Sequence, residues 1–222
     1  MEKPQVKKFS FETIEEFDTH ICQSIPNYLL IHKAIQGLTD YFIEDGTNVY
    51  DLGCSKGTLL KKITNENKKK VQYYGIDISK NLLPKDTENI NFMSCDLLSD
   101  KYNLSNSSLI TSIFTLQFLP KKERLGMLKR IYDGLNKGGA FIITEKVYSN
   151  NSILQDINTS LYYQFKANNF KYDEIMAKEK DLRSMMKLFT KKENEDLFEQ
   201  AGFKICDTFF QYYNFVGWIL IK

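Results

Sequence analysis

At 222 residues and 42% hydrophobic, the chain is long enough to bury one full α/β core and short for two. Its 30 basic and 28 acidic side chains leave a formal charge of +2, so the charge balance calls for neither nucleic acid nor another polyanion. No apolar run reaches ~18 residues, which argues against a membrane span. Cys22, Cys54, Cys95 and Cys206 lie far apart, with no C-x-x-C pair and no adjacent His, so neither a zinc site nor a disulfide framework is expected. Free thiols and an N-terminus without an apolar leader core point to the cytoplasm.

In chain order, residues 1–9 read as a frayed tail, and Ser10 is a candidate N-cap for a helix carrying Phe11, Ile14, Phe17 and Ile21 on one face. Pro26 breaks it. A second helix carries Leu30, Ala34, Leu38 and Phe42, and a turn at 44–47 leads to strand 49–52. A helix through Leu59, Leu60 and Ile63 follows, then strand 71–76, a short helix at 79–83 stopped by Pro84, and strand 90–93. Strand 109–114, an amphipathic helix over 121–135 stopped by Asn136 to Gly139, and strand 140–144 complete the alternation. Short apolar strands alternating with amphipathic helices predict a parallel sheet covered on both faces. Residues 150–187 carry no strand signal and read as two or three helices, a candidate lid over the carboxyl ends of the strands. Helix 191–201 closes at Gly202, and strands 204–210 and 215–221 form a terminal hairpin.

The chemistry is concentrated at the first strand's end. Gly53 and Gly57 let the backbone turn sharply and approach a ligand, and Cys54 and Ser55 crowd nothing. The G-x-x-x-G spacing departs from the G-x-G-x-x-G of a dinucleotide pyrophosphate site. Asp51 also disfavours a pyrophosphate and suits a cation, such as the sulfonium and ammonium of S-adenosylmethionine. Asp77, ending the second strand, can accept hydrogen bonds from vicinal ribose hydroxyls or cap the following turn. Asp96 can accept from an adenine amine, with Leu97 packing on the ring, or close its own loop.

Residues 51–57 resemble the first motif of class I S-adenosylmethionine-dependent methyltransferases. Residues 114–119, 131–140, 144–146, 165–168, 201–203 and 210–215 resemble, more narrowly, the carboxy-S-adenosylmethionine synthase family, once described as tRNA uridine-5-oxyacetic acid methyltransferases. The resemblance runs from about Phe9 to the C-terminus. It implies one domain over residues 1–222 with a Rossmann-like, seven-stranded, mostly parallel sheet, helices before residue 45, a lid at 150–187 and a possible homodimer. In that family prephenate supplies a carboxyl-bearing carbon that ends on the sulfonium methyl, and a partner enzyme uses the product on tRNA wobble uridine. The family's cofactor contacts carry over to Tyr28, Gly53, Cys54, Ser55, Asp77, Ile78, Asp96 and Leu97.

Two positions depart from the family. Ile113 stands where it has Asn, and ungapped counting puts Glu179 where its lid has the Arg that holds the extra carboxylate. Two carboxylates ~4 Å apart would repel by about 1–4 kcal/mol, depending on the local dielectric. Lys180 or Arg183 could take the role instead; a pair between Glu179 and Arg183 is the plainer reading. No general base is evident, His20 and His32 reading as surface or capping residues. The lid aromatics Tyr162, Tyr163, Phe165, Phe170 and Tyr172 are candidates for a desolvated pocket or for ordinary packing. The reading preferred on these residues is methyl transfer from S-adenosylmethionine to a small molecule. Full carboxy-S-adenosylmethionine synthase activity and a non-catalytic cofactor-binding dimer partner are the alternatives.

Overall fold

Strand β1 (Asn48–Leu52) lies in the interior of a seven-stranded sheet in the computed structural model, which describes residues 16–222. The proposed N-cap Ser10 and the apolar Phe11 and Ile14 fall outside the described residues. Helix α1 (Phe17–Ser24) ends where Ile25, preceding Pro26, takes the extended backbone that proline imposes on its neighbour. α2 (Tyr28–Phe42) follows, then β1, α3 (Thr58–Glu66), β2 (Gln72–Asp77), β3 (Ile90–Ser94) and β4 (Ser107–Ile113). The remainder is α4 (Lys121–Gly134), β5 (Leu135–Lys146), α5 (Ser152–Ala167), α6 (Tyr172–Met185), α7 (Lys191–Ala201), β6 (Ile205–Tyr212) and β7 (Phe215–Ile221).

The order across the sheet is β3-β2-β1-β4-β5-β7-β6. The pairs among β1 to β5 are parallel, and β7 runs antiparallel between β5 and β6. Order therefore reverses between β1 and β4, opening a crevice at their carboxyl ends.

Period-two alternation sorts the strand side chains. Val49, Leu109 and Ile142 pack towards Ile31 and Ile35 of α2, Leu60 and Ile63 of α3, and Tyr162 of α5. Tyr50, Ile110 and Phe141 pack on the other face towards Leu128 and Ile131 of α4 and Phe198 of α7. Asp51 shares the parity of Val49, so the site's acid lies on the α2 and α3 side. Burial on both faces explains why these strands read as apolar runs.

Two elements differ from expectation. The helix foreseen at 79–83 is a pair of turns, with Leu82 N–H donating to Ser79 O at 3.0 Å and Leu83 N–H to Lys80 O at 3.3 Å. Pro84 cannot supply the donor to extend them. The glycines expected only to stop α4 belong to β5, which begins at Leu135. Gly138 N–H donates to Lys222 O at 2.9 Å, and Lys222 N–H to Gly139 O at 3.1 Å, so the C-terminal residue recruits this segment into the sheet.

Candidate functional site

The crevice holds a cavity of about 490 Å³, floored by the β1–α3 turn and walled by α1, α2 and the loops after β2, β3 and β4. Its size suits a nucleoside-sized ligand. At Gly53 φ is +84°, and a Cβ there would lie 2.1 Å from Thr115 Oγ1, so the turn admits only glycine. Gly57, at φ +65° before α3, has the Phe92 ring 2.6 Å from its Cβ position. It shapes the turn without lining the cavity.

The other predicted cofactor residues converge: Tyr28, Asp51, Gly53, Cys54 and Ser55 line the cavity, as do Asp77, Ile78, Asp96 and Leu97. Asp77 joins two turns, its Oδ2 accepting from Ser55 N–H and its Oδ1 from Ser79 N–H, both at 2.8 Å. A carboxylate has about four lone-pair sites, so each oxygen keeps capacity for a ligand hydroxyl. Asp96 Oδ1 accepts from Leu98 N–H at 2.9 Å, closing its own loop while the residue also borders the cavity. Asp51 is 3% exposed, and Thr111 Oγ1 donates to its Oδ1 at 2.7 Å. Burial pushes its carboxyl up to about 7, against the pull of the Thr111 bond and with Asp77 adding repulsion.

His32 is a correction to the sequence reading: it is buried and lines the cavity, its ring 4.3 Å from that of Tyr28. Burial, then Lys62, lowers its pKa to about 4, so it is a neutral imidazole. His32 Nε2 and Ser55 Oγ are buried without hydrogen-bond partners, two polar atoms from cavity-lining residues. With the acids and the glycine cradle, they fit an adenosyl ligand bearing positive charge. His20 is half-buried, packing edge-on against Phe170 at 5.1 Å with its Nε2 accepting from Lys178 Nζ. The spacing of Tyr28 and His32, four residues apart on a helix, was the available signal for one shared face.

Apolar walls come from Phe17 and Ile21 of α1, Ile113 at the end of β4, and Phe114 and Phe118 after it. Phe114 holds φ +55°, a conformation strained for its side chain. Of the segment at 150–187, Met185 reaches the lining. The lid aromatics pack elsewhere: Tyr162 against Phe215 at 5.2 Å with its hydroxyl donating to Ser24 O at 3.0 Å, and Tyr172 in solvent.

The candidate substrate residues do not converge on the cavity. Glu179 is buried on α6, with Arg183 Nε 3.3 Å from Oε1 and Lys146 Nζ 3.9 Å from Oε2. The i,i+4 pair foreseen between Glu179 and Arg183 is present. Arg183 and Lys180 are exposed. Further back, Arg124 Nη1 meets Glu145 Oε2 at 3.3 Å, both groups fully buried. Glu145 Oε1 accepts from Gln117 N–H at 3.0 Å, and Arg124 Nη2 donates to Lys187 O at 3.1 Å. That network ties the cavity-side turn at Leu116–Phe118 to the strap after α6.

The family model of the methyltransferase domain matches residues 43–202. The carboxy-S-adenosyl-L-methionine synthase of Staphylococcus epidermidis is 41% identical over 219 residues, covering 96% of this chain and 95% of the relative. The enzyme of the same name from Actinobacillus pleuropneumoniae serotype 5b is 32% identical over 223 residues, covering 96% and 92%. Among solved structures, the apo form of the S-adenosylmethionine-dependent methyltransferase SibL superposes with a TM-score of 0.59 at 12% identity, covering 87% of this chain and 55% of that one. This last likeness concerns the fold, which is of the Rossmann-like class I type. The chain belongs to the carboxy-S-adenosyl-L-methionine synthase family and is an enzyme of the S-adenosylmethionine-dependent class.

Proposed function

We propose that the protein makes carboxy-S-adenosyl-L-methionine from S-adenosylmethionine, with prephenate as the carboxyl donor. The observation that carries this reading is the position of Glu179. The case for plain methyl transfer rests on a carboxylate facing the cofactor's own. Glu179 instead pairs with Lys146 and Arg183, and only Met185 of its helix reaches the lining, so that objection lapses. Arg183, two residues before Met185 on the same helix, is the candidate for the family's missing Arg.

In this reading Asp77 accepts from ribose hydroxyls, Asp96 from the adenine amine, and Ile78 and Leu97 pack on the ring. Asp51 faces the cationic end, and Tyr28 closes the α2 side. The bound sulfonium supplies an activated methyl carbon. The chain itself orients the ligand and excludes water, through Phe17, Ile21, Phe114 and Phe118. Ile113, apolar where the family has Asn, favours methyl transfer to a small molecule as the second reading.

Incubation of the purified protein with S-adenosylmethionine and prephenate is the test, the nucleoside product being identified by mass spectrometry. A carboxylated nucleoside that appears only when both substrates are present supports the proposal; unchanged S-adenosylmethionine would refute it.

No helix among the described residues is long and apolar enough to cross a membrane. The free thiols support a reducing, cytoplasmic setting, with a small molecule rather than nucleic acid as the direct partner. A homodimer is supported by exposed Ile153, Leu154 and Ile157 on α5; light scattering on the eluting protein should give twice the chain mass.

A further inference from the structure

Lys56 differs from every other described residue lining the cavity by its charge. It lies in the β1–α3 turn, and it is the one lysine or arginine among those residues. No ion pair among the described residues includes it. Arg183 does not reach the lining. Lys61, which does not line the cavity either, braces the turn, its Nζ donating to Lys56 O at 3.1 Å.

The four lining carboxylates are engaged elsewhere. Thr111 donates to buried Asp51, Asp77 holds the N–H groups of Ser55 and Ser79, and Asp96 holds that of Leu98. Asp18 of α1 takes the Thr58 hydroxyl, whose Oγ1 lies 3.4 Å from Oδ2 and 3.5 Å from Oδ1. Four acids against one ammonium favour a cationic ligand, and they repel any carboxylate that enters with it. A carboxylate is therefore accommodated only where the wall offers donors.

Such donors surround Lys56. Lys61 N–H opens the α3 ladder by donating to Gly57 O at 2.9 Å, so the N–H groups of Thr58, Leu59 and Leu60 precede it. No side chain caps this helix end, and Thr58 and Leu59 line the cavity. Ser55 Oγ, on the residue before Lys56, is buried without a hydrogen-bond partner. So is Nε2 of His32, a side chain 3% exposed, and both residues line the cavity. These groups belong to α2, α3 and the turn that opens α3, the two helices packing on one face of the sheet.

We propose that Lys56 is the carboxylate-binding residue of the cavity, holding a ligand carboxylate at the N-terminal end of α3. Two sources share that chemistry: the α-carboxylate of the adenosyl ligand and a carboxylate of the organic-acid substrate. The assignment rests on the proposed function in taking an adenosyl sulfonium as the occupant.

Calorimetric titration of wild type and Lys56→Met tests it with three probes. S-adenosylhomocysteine carries the α-carboxylate, 5′-methylthioadenosine lacks it, and prephenate is added to protein saturated with S-adenosylhomocysteine. Lys56→Met should weaken binding of a carboxylated probe about tenfold or more and leave 5′-methylthioadenosine affinity unchanged, and Lys56→Arg should retain wild-type affinity. A loss for S-adenosylhomocysteine assigns the carboxylate to the cofactor; a loss for prephenate alone assigns it to the acid substrate. Equal affinity of wild type and Lys56→Met for both carboxylated probes would overturn the assignment. An equal loss for 5′-methylthioadenosine would overturn it too, since that marks a distorted turn rather than a lost charge. If Lys56→Met does not fold, Lys56→Gln takes its place with the same outcomes. Carboxy-S-adenosyl-L-methionine made by a protein in which Lys56→Met changes neither affinity would leave the proposed function standing, so the two failures are distinguishable.

Discussion

Asp51 shows what one buried side chain does at this site. Burial pushes its carboxyl from 3.8 to about 7, so ionisation destabilises the free fold as pH rises across that interval. A bound sulfonium and ammonium favour the carboxylate and lower that value. Binding therefore releases a proton below about pH 7, and affinity for S-adenosylmethionine should fall up to about tenfold per unit as pH drops further. Calorimetry across this range should show the slope in wild type and lose it in Asp51→Asn. Gly53→Ala combines a left-handed backbone with a Cβ 2.1 Å from Thr115, and should cost at least about 2 kcal/mol in urea unfolding. Gly53, Gly57, Asp77 and Asp96 were legible in the sequence because each shapes a local turn after a strand, and Asp51 because it is a carboxylate within an apolar strand. Phe17, His32 and Phe118 were not, because only tertiary packing brings α1, α2 and the loop after β4 to the same cavity.

Between elements, the pair of Arg124 and Glu145 holds α4, β5 and the strap after α6 together. Removing one partner of such a pair leaves an uncompensated buried charge. Arg124→Met should therefore lose about 3–5 kcal/mol in denaturant unfolding, with Arg124→Met/Glu145→Gln recovering much of it. A double variant no more stable than Arg124→Met would contradict that account. The strands and long helices could be read from periodicity, since β1, β4 and β5 are buried on both faces and α4 and α7 on one. The turns at 79–83 and the start of β5 could not: the first depends on Pro84 withholding a donor, the second on a hydrogen bond from Gly138 to Lys222, far along the chain.

For the molecule as a whole, the reversal of strand order between β1 and β4 decides where chemistry can occur; the alternation of elements foretold the parallel sheet, and the structure supplies its strand order. The orientation of α6 did not follow. Counting along the chain set Glu179 against the cofactor, whereas the fold turns it towards Lys146 and leaves Met185 at the cavity. Helical phase relative to a distant strand depends on packing that no local pattern encodes. The proposed occupant of this cavity is a carboxylated adenosyl sulfonium. The most direct test is mass spectrometry of the nucleoside released from protein purified without added ligand. Carboxy-S-adenosyl-L-methionine is the predicted result; recovery of S-adenosylmethionine or S-adenosylhomocysteine alone would contradict it.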